Sequence, residues 1–224
     1  MSELSGLAAG DATKQAKRER CTADMRRRAI LDAATAVFLE RGYAGASVDA
    51  VVEKAGGSKA SVYAMFGNKE GLLGALVGEA AELLVLSLSE LPLDQPIAES
   101  LTDFGERYLR LVLHPTRLAL YRLVVGESGR LPELGDLFYR VGPETVNRRL
   151  ADFFRSKAQA GQITVPDPDR LANYFTGALR GDLQLRSLFN PTRAPTAREI
   201  RTHVEYVVGI FMTEATAPTH VAPA

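Results

Sequence analysis

Apolar positions recur at three- and four-residue intervals along most of the chain, the pattern of helices that bury one face. From about residue 24, Ile30, Ala34, Val37 and Phe38 repeat at that interval with charges between them; Arg41 followed by Gly42 reads as a stop. Ser47 is placed to cap a short second helix, with Asp49 at its positive end and Val48, Val51, Val52 and Ala55 turned inward. Gly56-Gly57 breaks the chain. Ser58 then caps a third short helix whose apolar pair is Val62 and Phe66. Gly67 stops that helix, Asn68 caps the next, and a longer helix is predicted over 69–88.

Pro92 and Pro96 punctuate a linker, after which helices are predicted at 97–113, 115–126, 133–140, 143–160, 168–189 and 197–214. No alternating run flanked by hairpin turns is present, and no repeat of 20–50 residues, so the fold class is all-α. The expected organisation is a flexible basic arm over 1–23, a three-helix domain over 24–69, a larger helical domain over 70–214 and a frayed Ala/Pro/Thr-rich tail over 215–224.

The composition is that of an ordinary globular protein, 46% hydrophobic and 24% charged over 224 residues. A single cysteine, Cys21, excludes an intrachain disulfide framework and a cysteine-built zinc site, as expected in a reducing cytoplasm. No run of 18 apolar residues reads as a membrane span, and the first residues do not read as an export signal. Net charge is zero, but its distribution is uneven. Lys14, Lys17, Arg18, Arg20, Arg26, Arg27 and Arg28 face only Glu19 and Asp24, leaving about +5 on a short block. That block is either a solvated arm or the footprint of one localised anionic partner.

The paired short helices at 47–55 and 58–66, joined through a Gly-containing turn, have the spacing of a helix-turn-helix, whose second member enters a major groove. Its exposed face carries Ser58, Lys59, Ala60, Ser61 and Tyr63: small groups for close approach, a cation for phosphate or guanine, and a phenol for phosphate. Helix N-termini at Ser47 and Asn68 offer free N–H groups to phosphate, with Lys69 beside one of them.

Ile30-Leu-Asp-Ala-Ala, Phe38-Leu-Glu-Arg-Gly-Tyr43, Ser47-Val-Asp, Ala55-Gly, Ser58-Lys, Val62-Tyr63, Phe66 and Asn68-Lys69-Glu70 together resemble the DNA-binding domain of TetR-family transcriptional regulators. The stretch from Leu120 to Leu179 is similar to the regulatory domain of AcrR/AefR-like members. The resemblance implies a ligand-released repressor that binds a palindromic operator as a homodimer, with no catalytic residue, cofactor or metal. It places Ser47 as a cap that touches phosphate, Lys59, Ser61 and Tyr63 on the recognition helix, and Tyr43 and Lys69 on backbone phosphates. Gly57, where the family usually has an apolar residue, and Ala64-Met65 depart from the pattern. Few side chains there read base edges in a bidentate way, so phosphate contacts and DNA shape are expected to matter.

In the larger domain the resemblance implies a cavity for a small, largely apolar effector, and Phe104, Arg107, Tyr108, Tyr121, Arg122, Phe138, Phe154 and Tyr174 are candidates to line it. Core packing is the alternative for the aromatics, and surface charge for the arginines. Two stripes on the last helices, Leu171, Phe175, Ala178 and Leu185, then Val204, Val207, Val208 and Phe211, are candidates for pairing two copies; intrachain core is their alternative. The long helix from Lys69 is the expected lever between the two halves. The rival classes are a helical adaptor without DNA contact and an all-α enzyme. The enzyme reading lacks a His-Glu-x-x-His, a Gly-rich phosphate loop and a Gly-x-Ser-x-Gly, and His114, His203 and His220 are far apart in sequence.

Overall fold

The computed structural model describes residues 3–89 and 95–216. Pro92, the residues after 216 and the side chains of residues 1–21, Cys21 and most of the basic block among them, lie outside the described residues. Every element among the described residues is helical: α1 Glu3–Gly45, α2 Val48–Ala55, α3 Lys59–Phe66, α4 Lys69–Ser89, α5 Ile97–Val112, α6 Pro115–Ser128, α7 Pro132–Tyr139, a π-helical turn Arg140–Glu144, α8 Thr145–Gln159, α9 Pro168–Phe189 and α10 Ala197–Thr216. The chain divides into two compact units, Met1–Leu76 and Val77–Ala224, and the division falls inside α4.

α1 starts at Glu3, well before the expected start near residue 24. The segment is rich in Ala, Lys and Arg, strong helix formers, and holds no proline, so basic composition alone does not imply an irregular arm. The helix breaks at Gly42 (φ 70°, ψ 170°), the expected stop. In the first unit Ile30, Leu31, Ala34, Val37 and Phe38 are buried, as are Val48, Val51, Val62 and Phe66. Leu72, Leu73 and Leu76 extend that buried set into α4, which is why the unit ends later than residue 69.

The second unit packs α8 on α9 and α5 on α10. Phe104, Phe154, Phe175 and Phe211 meet at its centre, with ring centroids 6.4 Å apart for Phe104–Phe175, 5.5 Å for Phe154–Phe211 and 4.9 Å for Phe175–Phe211. A Cβ on Gly105 would stand 2.8 Å from Val204 Cγ1, so α5 and α10 approach closely only because that position lacks a side chain. α9 bends at Gly181 (φ 33°, ψ −137°). The His203 ring sits beside the bend, with Nε2 2.9 Å from the Leu179 carbonyl that accepts its proton.

Candidate nucleic-acid interface and regulatory cavity

In the first unit the caps form as the sequence dictates. Ser47 Oγ accepts from Ala50 N at 3.2 Å, Ser58 Oγ accepts from Ser61 N at 3.2 Å, and Asn68 Oδ1 accepts from Gly71 N at 2.8 Å. Gly56 and Gly57 take φ 74° and 99°, so the chain reverses between α2 and α3 with two left-handed residues. A β-branched residue at position 57 would be strained there. A Cβ on Gly71 would fall 1.8 Å from the Phe66 carbonyl oxygen, so the α3–α4 corner closes only over glycine.

The α3 helix turns Val62 and Phe66 into the core and leaves Ser58, Lys59, Ala60, Tyr63 and Ala64 on its open face. Tyr63 is 50% exposed and Ser61 is half-buried. Lys59 Nζ lies 2.8 Å from Asp49 Oδ1, and this hydrogen bond raises the lysine's pKa above its ordinary value. The cation is therefore held against α2. Arg27 reaches over the Phe66 ring at 5.1 Å, which places one member of the basic block beside the end of α3.

Tyr43 is not on this surface. It is 4% exposed and stacks on Phe38 at 5.7 Å, because the chain folds inward after the break at Gly42. Lys69 is half-buried: its ammonium donates to the Tyr43 carbonyl at 2.8 Å and lies 4.4 Å from the Tyr43 ring centre. The helix dipole disfavours a cation in the first turn of α4, and these two contacts offset that. Tyr43 thus positions Lys69 at the N-terminus of α4.

In the second unit a cavity of about 100 Å³ opens between α4, α5, α6, the π-helical turn and α9. Of the predicted lining residues, Tyr108, Tyr121 and Phe138 line it. The others are elsewhere. Phe104 and Phe154 are in the aromatic core, packed by α9 and α10. Arg107 is exposed on the opposite side of α5 from the core. Arg122 donates from Nε to the Leu188 carbonyl and from Nη2 to the Ser187 carbonyl, both at 2.8 Å, and closes the end of α9. Tyr174 is exposed and accepts from Arg170 Nε at 3.1 Å.

Sequence reasoning missed Arg117, Arg180, Gln184, Gly142 and Pro143, all of which line the cavity. One signal was present: Thr176, Arg180 and Gln184 repeat every fourth residue on a helix otherwise read as apolar. The π-helical turn carries Gly142 and Pro143 into the wall, an irregularity often found at functional sites. Burial lowers the Arg117 pKa, opposed by Glu79. Burial raises the Tyr108 pKa, opposed by the nearby Arg180 charge and reinforced by Tyr121.

The expected pairing residues divide in two. Phe175, Val204, Val207 and Val208 are buried within the chain, Phe175 fully, and Leu171 and Phe211 pack half-buried against the same core. Ala178 and Leu185 are exposed, beside Tyr174 on α9 and Tyr206 and Ile210 on α10. The inward stripe of α10 serves α5 and α9, and the outward apolar stripe lies next to it.

Among the described residues no cluster of His, Cys, Asp and Glu is placed to hold a metal, and no helix is long and apolar enough to cross a membrane. Residues 30–76 match the family model of bacterial regulatory proteins of the tetR family, and residues 99–214 match the C-terminal domain of AefR-like transcriptional repressors. A search of curated proteins finds no match. Among solved structures, a TetR-family regulator from Mesorhizobium loti superposes with a TM-score of 0.73 at 27% identity, covering 86% of this chain and 97% of the other. The flavonoid-responsive regulator FrrA is 34% identical with a TM-score of 0.66, over 85% of this chain and 97% of its own. A TetR regulator from Agrobacterium tumefaciens is 26% identical with a TM-score of 0.67, over 84% and 93%. The chain therefore belongs to the TetR family of bacterial transcriptional regulators, non-enzymatic DNA-binding proteins, and its C-terminal domain is of the AefR-like repressor kind.

Proposed function

We propose that this regulator is a ligand-released repressor in the cytoplasm that binds a palindromic operator as a homodimer. The open face of α3 carries the reading: Tyr63 stands half-exposed among Ala60, Ser61 and Ala64, and no apolar cluster claims that face. Such a surface enters a major groove without steric bulk. Lys59 and Tyr63 reach phosphates beside the groove, while Ser47 and Ser58, with the helix N-termini they cap, seat further phosphates. Lys69, positioned by Tyr43, adds a charge at the N-terminus of α4.

Two copies pair through the outward stripe of Leu185, Tyr206 and Ile210, flanked by Ala178. Pairing presents two copies of α3 to half-sites about 34–36 Å apart or a multiple of that. The cavity of the second unit takes the effector, and the flavonoid-responsive relative supports an aromatic one. Effector release of DNA requires a different affinity for the DNA-competent and DNA-incompetent states. α4 is the continuous helix shared by both units and is the proposed lever.

The test is selection of random duplexes by the full-length protein, followed by mobility shift at increasing salt. A symmetric site bound by two copies, with affinity falling steeply as salt rises, is the expected result. Selection of no sequence, or a salt-independent affinity, overturns the proposal.

A further inference from the structure

The effector cavity is apolar over most of its wall, through Val77, Ala80, Leu111, Leu120, Phe138 and Val146. Its polar groups come from three helices: Tyr108 on α5, Arg117 and Tyr121 on α6, and Arg180 and Gln184 on α9. Tyr108 is 6% exposed, and its hydroxyl makes no hydrogen bond among the described residues, although it borders the cavity. Arg180 donates one N–H, from Nε to the Thr176 carbonyl at 3.2 Å in its own helix. No carboxylate pairs with it among the described residues. Gln184 lies one turn further along α9, on the same wall. The other cation of the lining, Arg117, has Glu79 near it, and among the described residues no acidic one lines the cavity.

A half-buried guanidinium without a carboxylate, facing an apolar chamber beside an unsatisfied phenol, is an incomplete ion-binding site. Arginine holds a carboxylate with two parallel N–H donors, and the phenol supplies a third. The chamber is of the same order as the roughly 150 Å³ hole that admits a benzene ring. We infer that the effector is a compact aromatic acid, its ring packed against Phe138 and the aliphatic wall and its carboxylate held by Arg180, Tyr108 and Gln184. This rests on the reading of the cavity as the effector site. It adds a charge requirement to an effector expected to be largely apolar.

Calorimetric titration of the full-length protein, without DNA, tests the inference with 4-methylbenzoate and cinnamate against 4-methylbenzamide and cinnamamide. Each amide keeps the shape of its acid and removes the charge. The acids bind at least about tenfold more tightly than their amides, as one charge-assisted pair in a desolvated site implies. Arg180→Met removes that preference, and Arg180→Lys keeps part of it by retaining the charge without the fork. Amides that bind as well as the acids, or failure of all four to bind, overturns the inference using the unmodified protein alone. Persistence of the preference in a folded Arg180→Met protein overturns it equally. Release from DNA is measured separately. Acids that bind but leave the DNA complex intact preserve the ligand class and overturn ligand release.

Discussion

Replacing Asp49 with Asn should tighten DNA binding. The Lys59 ammonium sits 2.8 Å from the Asp49 carboxylate, and both side chains are more than half exposed, at 58% and 64%. On DNA each lysine must leave its carboxylate for a phosphate, and each carboxylate repels the backbone nearby. A dimer carries two such pairs, so their removal should raise affinity roughly two- to thirtyfold in total, from about 0.2–1 kcal/mol for each exposed ion pair. Lys59→Ala should act oppositely. It deletes two phosphate contacts per dimer, each worth about 0.9 in the slope of log affinity against log salt, and so flattens that slope by about 1.8. Between 50 and 200 mM salt, a roughly fourfold change, the unmodified protein should then lose about twelvefold more affinity than Lys59→Ala. Fluorescence anisotropy with a selected duplex, run as a salt series on both single variants and the double variant, measures these terms. Asp49→Asn should lose most of its gain in the Lys59→Ala background. A full gain in that background, or a Lys59→Ala slope equal to the unmodified one, refutes the assignment of Lys59 to phosphate.

Gly71→Ala should destabilise the DNA-binding unit by about 1–3 kcal/mol or more, because its methyl group would meet the Phe66 carbonyl at 1.8 Å; thermal unfolding checks this, and an unchanged Tm contradicts the tight α3–α4 corner. Phe175→Ala should lower stability by about 3–5 kcal/mol and leave the dimer intact, whereas Ile210→Glu should yield folded monomers with weakened DNA binding; light scattering and melting curves separate the two. Glu199 caps α10: its carboxylate accepts from Thr196 N at 2.8 Å, and that bond lowers its pKa below the usual carboxylate value. A lowered native pKa adds stability above the unfolded value, lost as pH falls through the native one, so Glu199→Gln should flatten the acid limb of a stability–pH curve, measured below about pH 4.5.

The helices were legible because their start and stop signals are local: the caps Ser47, Ser58 and Asn68 and the stops Gly42 and Gly67 do in the structure what their chemistry requires. The open face of α3 was legible for the same reason, since eight residues with two inward apolar positions leave little freedom. What periodicity could not rank was two adjacent stripes on one helix. Val204, Val207 and Val208 are the more hydrophobic stripe of α10, and they went to the chain's own core, leaving Tyr206 and Ile210 outside. Cavity residues were harder still, because a lining depends on what neighbouring helices fail to fill. Phe104 and Phe154 look like ligand contacts in sequence, yet they fill the aromatic core; Arg180 looks like surface charge, yet it borders the cavity. The burial of Tyr43 is not legible in its motif, because it depends on the inward turn of the chain after Gly42, which stacks the ring on Phe38.

In the proposed complex α3 grips DNA mainly through phosphates, twice per dimer. The most direct test of this grip is the salt slope of operator binding for the unmodified protein and for a Lys59→Ala/Tyr63→Phe variant that retains the unmodified Tm. The expected slope is steep and becomes markedly shallower in the variant, with the loss of affinity greatest at low salt. A slope near zero in the unmodified protein, or an identical slope in both, would contradict it.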